Sequence, residues 1–169
     1  MRQINLVLCF SLLSCLSLNL FAQPAEKELD QAELLKQFIG TWEADNGKDS
    51  VVVLNCTPFN NGLFCFQEDK ANGKTYLSYK VVFGLSDDKE MIIAAAPVPN
   101  GTMLIDFGKF VEKDKYVADR YLGNKTHVAS QMEWEFLTPE SFIVRAKWRG
   151  NGMSWPEDWN DWFTFNKIE

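Results

Sequence analysis

The chain is poor in the residues that build common active sites and metal centres. It contains one histidine, His127, and four cysteines in 169 residues. A zinc site of ordinary composition needs several such ligands. The sequence also lacks a Gly-x-Ser-x-Gly elbow, a P-loop and a dinucleotide fingerprint. The sequence therefore shows no recognisable set of catalytic residues, and we expect no metal and no cofactor.

Basic residues are scarce relative to acidic ones. Lysine and arginine number 17 against 23 aspartates and glutamates, which gives a formal net charge of −6. Nucleic-acid binding needs clustered basic side chains that contact phosphates. The composition therefore argues against a nucleic-acid partner.

Long apolar runs are absent except at the start of the chain. Arg2 precedes a mostly apolar stretch from Leu6 to Leu20, and the small residue Ala22 follows shortly after it. This pattern predicts a secretory signal peptide over residues 1–22 and an exported protein, periplasmic or secreted. No later stretch is apolar enough to predict a transmembrane segment.

Two alternatives to a signal peptide remain open at the N-terminus. The run could be a membrane anchor, although it is short for a span of about 20 apolar residues. It could also belong to a bacterial lipoprotein that is acylated at Cys15. After a signal peptide over 1–22, we expect a disordered leader over 23–28 and a single domain over 29–169.

Two cysteines lie outside the predicted signal peptide, Cys56 and Cys65. An even pair in an exported chain predicts a disulfide. A hairpin that turns on Asn60-Asn61 pairs residues whose numbers sum to 121, as 56 and 65 do, so the two cysteines would face each other. A turn on Asn61-Gly62 would break this match.

A short helix is predicted before the first strand. Asp30 is suited to cap it, and Glu33 three residues later can complete a capping box. The apolar face continues to Ile39, and Gly40 can end the helix in a left-handed conformation.

Turn signals recur every 10 to 16 residues after Gly40, and Asn-Gly pairs are prominent among them. Ten β-branched and aromatic segments lie between the turns: Thr41–Ala44, Ser50–Cys56, Leu63–Gln67, Thr75–Leu85, Met91–Val98, Thr102–Phe110, Tyr116–Leu122, His127–Phe136, Ser141–Trp148 and Trp155–Asn166. We therefore predict an all-β, up-and-down antiparallel barrel of about ten strands, since closure removes both sheet edges. A two-sheet sandwich is the alternative.

Alternation along the late segments predicts which side chains enter the barrel. Apolar residues occupy every second position of the eighth segment, including Trp134, and of the ninth, up to Trp148. Both tryptophans are therefore predicted to point inward.

The segment Phe38–Trp42 resembles a known family. A short helix that leads into Gly-x-Trp on the first strand is similar to the calycin superfamily, which includes lipocalins and fatty-acid-binding proteins. The Gly-Thr-Trp form also resembles nitrobindin-like proteins and lipocalin-like exported domains of unknown function. The resemblance implies an up-and-down barrel with Trp42 near its closed end, beneath a basic residue such as Arg145 or Arg149.

The sequence departs from these families in several ways. The early turn at Asn46-Gly47 leaves no room for a helical lid, and the carboxylate-binding Arg-x-Tyr of fatty-acid-binding proteins is absent from the last strand. Nitrobindin-like proteins hold haem through a late histidine. Haem bound by His127 is therefore an alternative, although a lone histidine beside a turn is more often solvated.

Aromatic and charged residues on the strands are the candidate ligand contacts: Trp42, Tyr79, Arg120, His127, Trp134 and Trp148. For Trp42 we prefer a structural role. The ionisable residues Lys80, Asp106 and Arg120 either point into the cavity, where they would orient a polar group of the ligand, or lie on the solvent face. We prefer the solvent face, although a single bulge would reverse that parity.

Three functions are compatible with these patterns. The first is an exported barrel that binds a small, mostly apolar molecule. The second is a filled barrel that binds a protein partner through Trp155–Trp162, a segment that otherwise packs the barrel end. The third, an enzyme such as a cyclase or isomerase, would need a buried acid or base among Asp106, Asp119 and His127.

Overall fold

A computed structural model describes residues 28–47, 49–97, 101–123, 128–148 and 154–169. The predicted signal peptide, the leader up to residue 27 and His127 lie outside the described residues. Within them, no helix is long and apolar enough to span a bilayer.

Ten antiparallel strands close into one barrel, as the sequence predicts. The strands are β1 Gly40–Gly47, β2 Ser50–Phe59, β3 Gly62–Ala71, β4 Lys74–Leu85, β5 Ile92–Pro97, β6 Met103–Phe110, β7 Lys115–Leu122, β8 Ser130–Thr138, β9 Ser141–Trp148 and β10 Asn160–Lys167. Each strand pairs with its sequence neighbours, and β1 pairs with β10 to close the sheet. Closure leaves neither end strand with an unpaired edge.

The second hairpin places the two cysteines as predicted. It turns at Asn60, which adopts φ 50, and Cys56 lies directly opposite Cys65. Their sulfur atoms form a disulfide, and both residues are buried. The pair links β2 to β3 on the inner face of the barrel.

A short helix precedes the barrel. The helix α1 spans Gln31–Leu35, and a 3-10 turn continues it over Lys36–Phe38. The Glu33 N–H donates to the Asp30 side chain at 3.1 Å, which is the predicted cap. The helix ends earlier than predicted: Ile39 is already extended, and Gly40, at φ 134, begins β1.

The helix closes one end of the barrel by bonding to the turn between β6 and β7. The Gln31 side-chain amide donates to the Phe110 carbonyl at 3.2 Å and accepts from the Phe110 N–H at 2.7 Å. The Gln37 amide donates to the Lys113 carbonyl at 2.8 Å. These bonds hold Phe38 inside the closed end, where it is buried.

Aromatic rings fill the closed end around Phe38. Its ring centroid lies 5.0 Å from Phe136 and 5.6 Å from Phe142, and Trp42 lies 4.9 Å from Phe142. Such tilted and edge-to-face contacts add stability beyond the burial of area. The closed end is therefore a packed aromatic core.

Candidate ligand site

A cavity of about 80 Å³ lies inside the barrel, with Phe38 among the residues that line it. Its walls are mostly apolar: Leu54, Val81, Phe83, Ala94, Ala96 and Leu104. Five lining residues carry polar side chains: Gln67, Tyr79, Asp106, Tyr116 and Arg120. Apolar walls with a few polar groups are typical of sites that bind small molecules.

Asp106 and Arg120 form an ion pair on the cavity wall. They lie directly opposite each other on β6 and β7, and Arg120 donates from Nε to Oδ1 at 2.8 Å and from Nη2 to Oδ2 at 2.7 Å. The exposed fractions of the side chains are 9% for Asp106 and 15% for Arg120. Burial opposes the charge of Arg120, but the hydrogen bonds and charge of Asp106 outweigh it and raise the arginine pKa.

The expectation that Asp106 and Arg120 face solvent is therefore wrong, whereas Lys80 is exposed as expected. The reason lies in the alternation along β6. Asp106 shares its face with the buried residues Gly108 and Phe110, and alternate residues of a strand point to the same face. Arg120 lies directly opposite Asp106 and therefore points to the same inner face.

Tyr116 contributes a buried hydroxyl with no hydrogen-bond partner among the described residues. The residue is 1% exposed, and its ring lies 5.4 Å from Phe110 and 5.2 Å from Trp134. A Cβ at position 108 would lie 2.5 Å from the Tyr116 hydroxyl oxygen. The missing side chain of Gly108 therefore leaves room for this hydroxyl. Burial raises the pKa of Tyr116, and the charge of Asp106 adds to the effect. The phenol is therefore a neutral donor at neutral pH.

Tyr79 is a second phenol on the cavity wall. Burial raises its pKa to about 12, with smaller contributions from the carboxylates of Asp69 and Asp106. Tyr79 pairs with Gln67 across β3 and β4, and the Gln67 amide donates to the Asp69 carboxylate at 2.9 Å. The cavity thus combines one balanced ion pair with two neutral phenols.

Ser130 carries the other unpartnered buried hydroxyl in the described part of the chain. It lies opposite Arg120 on β8 and is fully buried. A buried hydroxyl without a partner costs free energy. The two hydroxyls therefore mark an interior that water or a ligand would stabilise.

Two candidate tryptophans lie in different parts of the interior. Trp134 lines the cavity beside Tyr116. Trp42 is fully buried in the closed end, where its indole N–H donates to the Phe38 carbonyl at 2.8 Å, and it is not among the cavity-lining residues. This placement agrees with a structural role for Trp42.

The basic residue over Trp42 is Lys167. Its Nζ lies 5.3 Å from the centroid of the indole ring, within the range of a cation–π contact. Arg145, suggested for this place, instead faces outward and hydrogen-bonds to Glu133, Glu135 and Asp161. Arg149, the other suggestion, lies outside the described residues.

The prediction that Trp148 enters the barrel is wrong. Trp148 is 51% exposed at the end of β9, and its ring meets Trp162 edge to face at a centroid distance of 5.9 Å. Alternation along β9 holds up to Ala146, but at the last residue the barrel no longer covers the side chain. Trp162 is also exposed, at 47%.

The segment before β10 lies against the outside of the barrel. The ring of Trp159 lies 4.8 Å from Lys147 Nζ, which also donates to the Glu157 carbonyl at 2.6 Å. Lys147 belongs to the polar, outward set of β9 residues. Trp159 therefore packs on the outer face and does not fill the barrel end.

The described residues contain no group of three or more His, Cys, Asp or Glu side chains that could hold a metal ion. A haem ligand at His127 falls outside these residues and stays a prediction. Comparison of the chain with known protein-family models, and with curated proteins, gives no match in either case.

Proposed function

We propose that the barrel binds a small, mostly apolar molecule in its interior. The cavity lined by Ala96, Leu104 and the Asp106–Arg120 pair carries this proposal. Apolar walls favour an apolar ligand because its surface leaves water on binding, and the few polar groups fix its orientation. The disulfide supports an exported binding protein, because such bonds persist in oxidising compartments.

The size of the cavity restricts the ligand. A volume of about 80 Å³ is well below the ~300 Å³ that holds a drug-sized ligand and below the ~150 Å³ of a cavity that binds benzene. The proposed ligand therefore has fewer than about six non-hydrogen atoms. A larger molecule would need side chains such as Leu54 and Leu104 to move.

Xenon provides a direct test because it is small, apolar and able to occupy dry protein cavities. We expect the 129Xe chemical shift to change with concentration of the full chain. Ala96→Leu, which adds three carbon atoms to the cavity wall, should remove the specific part of that change. Ala95 is the matched control, since it is the neighbouring residue on β5 and points to the opposite face.

Two outcomes decide the test. A shift lost in Ala96→Leu and kept in Ala95→Leu supports the proposal, provided that circular dichroism and thermal unfolding show both variants folded. Equal shifts in the wild type and the Ala96→Leu variant would contradict a binding cavity at this place.

A protein-binding barrel is the second candidate, and the exposed pair Trp148 and Trp162 favours it. Two neighbouring indoles, each about half exposed, are uncommon on a surface that contacts only water, and tryptophan is enriched at interface hot spots. Under this alternative, xenon binding is absent and Trp162→Ser abolishes co-purification of a partner from the exporting cell.

We also propose that the barrel belongs with the calycin superfamily. The helix that precedes Gly40-Thr41-Trp42, the buried indole and the late basic residue Lys167 over it support this assignment. A haem titration of the full chain tests the nitrobindin-like alternative. If the protein shifts the Soret band of haem and His127→Ala abolishes that shift, haem binding is favoured. If the spectrum of free haem does not change when the protein is added, the small-ligand barrel is favoured.

A further inference from the structure

The charge of Arg120 is already balanced inside the cavity. Both oxygens of Asp106 accept from its guanidinium, at 2.8 and 2.7 Å. Paired in this way, the arginine does not supply a net positive charge for an anionic ligand. An arginine that binds the carboxylate of a ligand would instead have no buried acidic partner within the protein.

The cavity wall retains hydrogen-bond donors that are not committed to the Asp106–Arg120 pair. Among the described residues, the side chain of Arg120 bonds only to Asp106, through Nε and Nη2, so the N–H groups of Nη1 are uncommitted. The Tyr116 hydroxyl has no partner and is buried, and Tyr79 stays protonated far above neutral pH. Guanidinium N–H groups only donate. A ligand group that pairs with them must accept.

An added negative charge would be unfavourable at this place. The lining residues Asp106 and Arg120 cancel, and the nearby Asp69 carboxylate bonds to the lining amide of Gln67 at 2.9 Å. A bound carboxylate would therefore be a buried charge without a free counter-charge, which costs free energy. A carbonyl oxygen accepts the same hydrogen bonds and carries no net charge.

We propose that the cavity selects small uncharged molecules that accept hydrogen bonds, of which a ketone is the simplest, and excludes carboxylates of the same size. This inference rests on the proposed ligand-binding function. It assigns Arg120 and Tyr116 as donors to the ligand and Asp106 as the residue that sets the charge preference.

Acetone, acetate and isopropylammonium test the preference because each has four non-hydrogen atoms in a similar branched shape. The affinity of the full chain for each is measured by NMR titration at constant ionic strength and neutral pH. We expect acetone to bind in the millimolar range, and acetate and isopropylammonium at least tenfold more weakly. Acetate that binds as tightly as acetone would overturn the inference.

Asp106→Asn provides a gain-of-function test. The substitution keeps the size of the side chain and an oxygen that accepts from Arg120, but it removes the negative charge. The variant should gain at least tenfold in affinity for acetate relative to acetone. Asp119→Asn is the matched control, since Asp119 lies on β7 next to Arg120 and bonds to Gln131, not to a cavity-lining residue. An acetate gain equal in both variants would contradict the role of Asp106.

Tyr116→Phe keeps the test decisive if Asp106→Asn does not fold. Removal of an unpartnered hydroxyl should leave the ligand-free protein as stable as the wild type or more stable, while acetone affinity falls by about three- to thirtyfold. Tyr121→Phe, which alters a ring that packs on Phe107, is the control and should not change acetone binding. Unchanged acetone affinity in Tyr116→Phe would show that the Tyr116 hydroxyl does not donate to the ligand.

The xenon experiment separates the two proposals. If Ala96→Leu blocks xenon binding but acetone is not preferred over the charged probes, the proposed binding cavity stands and the proposed preference for uncharged acceptors is wrong. Failure of xenon and of all three probes would overturn the proposed binding function itself.

Discussion

Lys167 lies over the indole of Trp42, with Nζ 5.3 Å from the ring centroid, and joins the last strand to the first. The two residues are paired in register across the β1–β10 seam. Lys167→Met keeps most of the aliphatic stem and removes the charge, so the variant should lose about 0.5–2 kcal/mol of unfolding free energy.

Urea unfolding measures this loss. Lys74→Met, at an exposed lysine at the start of β4, is the control and should change stability by less than about 0.5 kcal/mol. Equal stability of the two variants would show that the Lys167 charge does not stabilise the seam.

Breaking the Asp106–Arg120 pair should strongly destabilise the barrel. Asp106→Ala leaves the largely buried guanidinium without its counter-charge, and we expect a loss of about 3–5 kcal/mol of unfolding free energy. The double variant Asp106→Leu/Arg120→Met removes both charges and should recover much of that loss. A double variant no more stable than Asp106→Ala, measured by guanidinium chloride unfolding, would contradict this explanation.

Reduction of the disulfide should cost about 2.5 kcal/mol of unfolding free energy. Cys56 and Cys65 are 9 residues apart in sequence, and a short closed loop limits the entropy that the bond removes from the unfolded chain. The measurement compares denaturation with and without reductant. In Cys56→Ala/Cys65→Ala, reductant should have no effect, and an unchanged midpoint for the wild type would show that the bond does not stabilise the fold.

Tyr79 should make stability depend on alkaline pH. Its folded-state pKa of about 12 lies above the ordinary value of 10.0, because burial favours the neutral phenol. Its contribution is therefore complete below pH 10, and it is lost as the pH rises toward 12, up to about 3 kcal/mol. Thermal unfolding of Tyr79→Phe should depend less on pH in this range, whereas the exposed Tyr76→Phe should behave as the wild type.

Local signals were sufficient to predict the fold. Asparagine tolerates positive φ, so both Asn60-Asn61 and Asn61-Gly62 were candidate turns, and the pairing of Cys56 with Cys65 agrees with the first. The regular alternation of β9 gave its bounds, Ser141–Trp148, without error. These features depend on neighbours within one hairpin, which a sequence displays directly.

The polar part of the candidate site could not be predicted in the same way. Asp106 and Arg120 are 14 residues apart, and each taken alone is typical of a solvent-facing position. Both faces of β6 carry apolar residues, so alternation along this strand did not distinguish its inner face. The available signal was that Asp106 shares one face with Leu104 and Phe110.

Both ends of the described chain lie at the closed end of the barrel. The Thr41 N–H donates to the Glu169 carbonyl at 2.8 Å, and the helix bonds to the nearby β6–β7 turn. A tether, tag or fusion partner attached after Glu169 would therefore emerge opposite the hairpins near Asp49 and Asn72. Immobilised by its C-terminus, the protein would present those hairpins away from the support.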